Sequence, residues 1–346
     1  MPLYPRQMLV DYYFPPGPPA GAADAAARAR ELGFDGFFSA ETAHDPFVPL
    51  AFAARTAPDL DLGTAIAVAF PRSPMVTAQV SWDLAEMSGG RFILGLGTQV
   101  KAHITRRFST DWTSPGPRLR DYVGALRAIW AAFQTGERLS FESGHYNFSL
   151  LTPFFAPGAI PHPDIPVAIA GVGPYLSRLA GEACDGFHVH PFHTIEYLDR
   201  VVLPNMAEGA AAAGRSIDDV TRITTVFVAT GRDENEVATA RHRIKEQLAF
   251  YASTPSYRGV LETHGWDFGS TLSMMSRRGE WDRMADVVPD EVVDAVAVSG
   301  PPESIGPAIR DRYGDRVQRV GFYTLDAELA LDDGTLAAMV ESTRSG

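Results

Sequence analysis

Residues 167–190 read VAIAGVGPYLSRLAGEACDGFHVH, from Val167 to His190. Val167 to Ala170 is an apolar run of strand length that gives way to Gly171 and Gly173. Pro174 then opens a helical pattern, because its fixed φ suits a first helical turn and its missing N–H needs no partner there. A second short run follows at Gly186 to His190. Strand, turn, helix and strand in so short a span form one βαβ unit. Strands joined this way are parallel, and parallel sheets lie buried under helices. The unit must therefore be one of several.

The alternation continues in both directions. Upstream, strands are predicted at Gln7 to Phe14, Phe34 to Glu41, Leu60 to Phe70 and Phe92 to Gly97. Between them lie an Ala-rich helix ending at Leu32, a helix from Pro46 to Ala57, and one that Pro74 opens and Gly89-Gly90 stops. Another begins near Pro117 with Leu119, Val123, Leu126, Ile129 and Trp130 on one stripe. Downstream, a helix from Thr194 to about Ala213 leads to a strand at Ile223 to Thr230 and a helix at Asn235 to Tyr251. The chain closes with helix Pro301 to Tyr313, an eighth strand at Val317 to Thr324 and a helix at Leu329 to Thr343. Two stretches break the period, 139–166 and 253–288. Eight strands, nearly all followed by helices, in 346 residues point to a single (β/α)8 TIM barrel over 1–346, with insertions after strand four and strand seven.

Composition narrows the partners. Thirty basic against 42 acidic residues leave a net charge of −12, which disfavours binding to nucleic acid or to an anionic membrane surface. The single Cys184 makes no internal disulfide, and the start, Met1 to Gln7, lacks the pattern of a signal peptide. With no run of about 18 apolar residues, the expected location is cytoplasmic and the expected partner a small molecule.

In such a barrel the reactive groups gather where the strands end. Strand two ends in Glu41, Thr42, Ala43 and His44, and strand four in Thr98, Gln99, Val100, Lys101, Ala102 and His103. Glu41, His44, Lys101 and His103 are therefore the candidate general acids. Gly171-Val172-Gly173 before Pro174 suits a phosphate at a helix N-terminus. Arg106 and Arg107 form a small cationic cluster near the same rim. His188 and His190, two apart on a strand, face one way and form a possible metal pair, which makes a metal-dependent hydrolase the rival. No third ligand stands in a recognisable motif, so no metal is assigned. Phe154, Phe155, Trp266, Met274, Met275 and Trp281 in the irregular stretches suit an apolar lid.

Three runs then become specific: Leu62-Gly63-Thr64-Ala65-Ile66, Arg72-Ser73-Pro74, and Ser88-Gly89-Gly90-Arg91-Phe92-Ile93-Leu94-Gly95-Leu96-Gly97. Together with 169–174 and 179–186 they resemble the bacterial-luciferase-like superfamily, in order and spacing, over most of the chain. Ser39-Ala40-Glu41-Thr42 and 97–103 are most similar to its coenzyme F420-dependent oxidoreductase branch.

The resemblance implies a TIM barrel with F420, or alternatively FMN, in the rim cavity. It implies a bulge after strand three with a non-prolyl cis peptide at Ala65-Ile66 behind the ring. Gly171, Val172 and Gly173 would cradle the phosphate, with Thr98 and Gln99 near the ring or its ribityl chain and His188 also in the cofactor site. Arg106 and Arg107 would meet the polyglutamate tail of F420. Glu41 and His103 rank first among the acids because they lie near the ring in the family's geometry. The sugar-phosphate dehydrogenases of the superfamily carry a histidine and a glutamate where Thr42 and Val100 stand here, so that substrate is not expected. The implied reaction is hydride transfer between F420 and a small apolar carbonyl, alcohol or activated C=C compound. An FMN monooxygenase is the alternative, and a non-catalytic flavin or deazaflavin carrier a third reading. Pairing of two barrels through the helix at Phe47 to Ala57 is also expected.

Overall fold

The computed structural model describes residues 7–325 and 331–345. Eight parallel strands close on themselves: β1 (Leu9–Phe14), β2 (Gly36–Ser39), β3 (Asp61–Thr64), β4 (Phe92–Gly97), β5 (Val167–Gly171), β6 (Gly186–Val189), β7 (Thr221–Ala229) and β8 (Arg319–Tyr323). Each pairs with the next, and β8 returns to β1 through Leu9 opposite Arg319. This is the (β/α)8 TIM barrel the periodicity predicts. Among the described residues no helix is long and apolar enough to cross a membrane.

The barrel floor is ionic. Arg319, fully buried, donates to both Asp11 oxygens at 2.5 and 2.9 Å and to Asp61 at 2.6 Å. Charges this deep persist only when paired and fully hydrogen-bonded. Above them Phe38, Ile93, Ala168 and Ile223 pack into an interior layer with Tyr13 and Ala65 against it. Large side chains fit there because their neighbours are glycines. A Cβ on Gly63 would overlap the Phe38 ring, and one on Gly95 would overlap the Thr64 carbonyl oxygen and stand 2.8 Å from His188 Nε2. The interior is thus plugged up to the level of His188.

The third strand is shorter than predicted. It breaks at a cis peptide between Ala65 and Ile66 and resumes as Ala67–Val68 against β4. The stretch 253–288, read as irregular, contains helices Arg258–His264 and Gly269–Arg278, which end at left-handed Gly265 (φ 68°) and Gly279 (φ 73°). Those helices are too short for a sequence period to stand out. A two-residue strand at Val298–Ser299 beside β7 was not predicted. The stretch 139–166 holds a small hairpin, Phe141–Glu142 with Asn147–Phe148. It is tied to the barrel by Trp82 Nε1 donating to Gly158 O at 3.1 Å and by Gln134 bonding Ile160. The last helix runs Asp333–Arg344; Leu329, its predicted start, and Met1 to Arg6 lie outside the described residues.

Candidate functional site

A cavity of about 460 Å³ opens at the carboxyl ends of the strands, within the usual range for a small-molecule site. Its walls come from the ends of β1 (Tyr13 to Gly17), β2 (Ser39, Ala40, Thr42), β6 (His188 to Pro191) and β8 (Phe322 to Thr324) and from the middle of β7 (Thr224, Thr225). Ala65 and Ile66 form the wall after β3, Ala170 that of β5, and Tyr251 reaches in from helix Glu234–Ala252.

The Ala65–Ile66 wall is held from β2. Ala65 N–H donates to Ser39 O at 2.8 Å, and Glu41 N–H donates to Ile66 O at 3.1 Å. The Glu41 carboxylate accepts from Val68 N–H and from Arg72, each at 2.7 Å. Glu41 does not line the cavity; its Oε2 accepts both from the backbone beyond the bulge and from the ion-paired Arg72. Arg72 also pairs with Asp45 at 2.8 Å. Burial works against its charge, yet Glu41 and Asp45 hold its pKa above the ordinary value.

The two strand-six histidines differ in their surroundings. His190 Nδ1 accepts from Phe192 N–H at 3.1 Å, so the neutral ring carries its proton on Nε2, 3.0 Å from the Tyr257 hydroxyl. Both nitrogens are occupied by protein groups. His188 Nε2 is buried without a hydrogen-bond partner, facing Gly95. Burial pushes both rings down to about pKa 3, so each is neutral near pH 7. The pair lines the cavity as two separate neutral groups and does not form a chelate.

The remaining candidates divide. His44 lines the cavity on an exposed loop. Lys101, His103 and Arg106 lie exposed on the short helix Lys101–Arg106, outside the cavity wall. Arg107 donates to Thr42 O, bringing that helix over the β2 loop. Thr98 and Gln99 form the turn before it; Gln99 takes a positive φ of 58° and its Oε1 accepts from Val100 N–H at 2.9 Å. Gly171 to Gly173 lead into helix Pro174–Ala183, whose N-terminus has no side-chain cap. A Cβ on Gly173 would meet nothing within 4 Å, while one on Gly171 would strike Leu176. Tyr197 Oη fixes this turn by donating to Val172 O at 2.7 Å. Phe154, Phe155, Trp266, Met274, Met275 and Trp281 do not line the cavity, and Phe154 is 89% exposed. They form no lid over it.

Sequence reading missed Tyr13, Thr225, Tyr251 and Tyr323. Tyr13 and Tyr323 stand at strand ends, where the rim rule would have found them. Tyr251 sits on a helix, and only the tertiary fold turns it inward.

These features fit a flat ring with an anionic stem. The Ala65–Ile66 bulge offers a backbone wall, the orphaned His188 nitrogen an unused polar atom, and the open turn at Gly173 an anion position at a helix N-terminus. An uncharacterised protein of Mycobacterium tuberculosis is 46% identical over 302 residues, covering 87% of this chain and 89% of that one. An F420-dependent glucose-6-phosphate dehydrogenase of Intrasporangium calvum is 28% identical, covering 83% and 84%. The structure of coenzyme F420-dependent tetrahydromethanopterin reductase from Methanopyrus kandleri superposes with a TM-score of 0.78 at 20% identity, over 97% and 98% of the two chains. The profile of the luciferase-like monooxygenase family matches residues 7–319, and the chain belongs to that family.

Proposed function

We propose that this protein is an oxidoreductase that passes a hydride between coenzyme F420 and a small, uncharged carbonyl, alcohol or activated C=C substrate. The observation that carries the reading is the cavity itself, with the Ala65–Ile66 bulge as one wall and, on the β5 rim, the uncapped helix N-terminus at Gly173. When bound, the deazaflavin supplies the two-electron chemistry. The chain's part is to hold it: Ala65 and Ile66 against the ring, Gly171 to Gly173 at the phosphate, Thr98 and Gln99 along the stem, and Arg106 and Arg107 at the acidic tail. His188 is a neutral hydrogen-bonding group below the ring. Among the candidate acids, His44 stands in the cavity wall, while Lys101 and His103 lie outside it on the exposed helix after β4. The family's name favours a second reading, an FMN-dependent monooxygenase.

Titration of purified protein with F420 and with FMN, followed by hydride-transfer assays under nitrogen and under air, tests both. Tighter binding of FMN and turnover only with oxygen would replace the first reading by the second. We also propose a homodimer through the helix Phe47–Thr56, supported by its exposed Val48 and Phe52; a monomer in analytical ultracentrifugation would refute it. A cytoplasmic location belongs to the same reading, supported by the buried free thiol of Cys184.

A further inference from the structure

In a closed eight-stranded barrel the strand four places on stands diametrically opposite, so β7 and β8 face β3 and β4 across the mouth. A ring lying against Ala65 and Ile66 therefore leaves the far wall to the substrate. That wall carries Tyr323 at the end of β8 and Tyr251 on the helix after β7, both lining the cavity.

Their hydroxyl oxygens are 3.5 Å apart. That is longer than an ordinary O–H···O bond of about 2.7–2.8 Å, so the two hydroxyls do not satisfy one another well. An acceptor oxygen between them can sit at normal distance from both. Each ring is fixed by its neighbours. Tyr323 stacks on Phe227 at 4.7 Å, and Tyr251 meets the His190 ring edge-on at 4.7 Å. Burial and the adjoining phenols raise the Tyr251 pKa far above its ordinary value against the opposing pull of a Gln247 side-chain hydrogen bond, so the hydroxyl keeps its proton.

Charge in the cavity points the same way. None of the described residues lining it is Lys or Arg, and the carboxylate of Asp45 is already paired with Arg72. His188 and His190 are neutral. A carboxylate or phosphate placed there would lose its water with no Lys or Arg in the wall to pair with, His44 standing on the exposed loop after β2.

We infer that the Tyr251 and Tyr323 hydroxyls form a two-donor hook for the oxygen of an uncharged ketone, aldehyde or alcohol, and that the cavity rejects substrates bearing a carboxylate or phosphate. The hook rests on the proposed cofactor reading, which assigns the opposite wall to the ring. Two donors converging on one oxygen also favour the charge that a carbonyl oxygen gains as hydride reaches its carbon.

The test measures cyclohexanone and cyclohexanecarboxylate binding by calorimetry to wild type, Tyr251→Phe, Tyr323→Phe and the double variant, each with and without F420. Each lost hydroxyl should weaken cyclohexanone about three- to tenfold, the size of one hydrogen bond. F420 affinity should stay within about twofold, which a merely structural role for the tyrosines would not allow. Carboxylate binding should be undetectable throughout. Unchanged ketone affinity in all three variants, or carboxylate bound as tightly as ketone, would overturn the hook. If F420 fails to bind while the ketone pattern appears in the cofactor-free protein, the hook stands and the cofactor reading falls.

Discussion

Replacing Glu41 by Ala removes the acceptor that secures the wall behind the cavity. The Glu41 side chain is 6% exposed and accepts from Val68 N–H and Arg72, each at 2.7 Å. An orphaned buried N–H costs about 1–3 kcal/mol. Arg72 keeps Asp45 at 2.8 Å and Val68 O at 3.2 Å, so losing Glu41 costs well under the 3–5 kcal/mol of a stranded buried charge, about 1 kcal/mol. The total is about 3 kcal/mol. Unfolding entropy of about 2.1 cal/mol/K per residue over 346 residues amounts to about 0.7 kcal/mol/K, which converts this loss into a Tm decrease of about 4 °C. Glu41→Gln retains an oxygen acceptor for Val68 and should lose about half as much. Scanning calorimetry reads the stability, and an F420 titration reads whether the wall has moved; affinity should fall in the order wild type, Gln, Ala. The pH profile of kcat/KM should keep both limbs in the Gln variant, because the carboxylate holds backbone and delivers no proton. The reasoning fails if Glu41→Gln leaves Tm and F420 affinity unchanged while turnover collapses and one limb of the profile disappears.

Gly95→Ala should destabilise the barrel by more than about 3 kcal/mol, because its Cβ would overlap the Thr64 carbonyl oxygen; a Tm within 2 °C of wild type, roughly 1.5 kcal/mol, would contradict the interior packing described. His188, His190 and His193 are pushed down to about 3, 3 and 4 by burial, so below the unfolded value of about 6.5 the unfolded chain binds more protons. Their contribution is complete above that pH and is lost as pH falls toward the folded values, with a limiting slope of about 4 kcal/mol per pH unit. His193→Gln should reduce that slope by about a third in urea titrations between pH 6 and 4, and an unchanged slope would show that His193 is not neutral in the fold. Replacing Arg106 and Arg107 together by Ala should weaken F420 more than FMN, since only F420 carries the acidic tail; equal losses would remove these residues from the tail site.

The barrel was legible because strand-length apolar runs alternate with helical patterns and several are bounded by Gly or Pro, as in Val167–Gly171 before Pro174. What the period could not show was partnership across the barrel. His188 and His190 look equivalent two apart on a strand, yet His190 bonds Phe192 and Tyr257 while His188 Nε2 has no hydrogen-bond partner. Those partners come from a turn and from the stretch 253–288, which carries no steady period. Glu41 posed the same difficulty. A carboxylate at a strand end reads as a proton donor, and only the neighbouring strand shows that Val68 N–H and Arg72 take both its bonds to one oxygen.

The depth at which chemistry can occur also follows from the interior. The Arg319 floor and the layer of Phe38, Ile93, Ala168 and Ile223 leave no room for a ligand below His188, so any bound molecule must lie at the level of the strand ends. There the basic groups without a place in the cavity wall are Lys101, Arg106 and Arg107 on the outer rim, the Asp45 carboxylate is held by Arg72, and the inner wall presents phenols, threonines and the neutral rings of His188 and His190. An elongated ligand with an anionic end and an uncharged end has one orientation that avoids stranding its charge: the stem toward the rim and the reactive end toward Tyr251 and Tyr323. Selectivity in this barrel therefore follows from where charge is absent as much as from where it is placed.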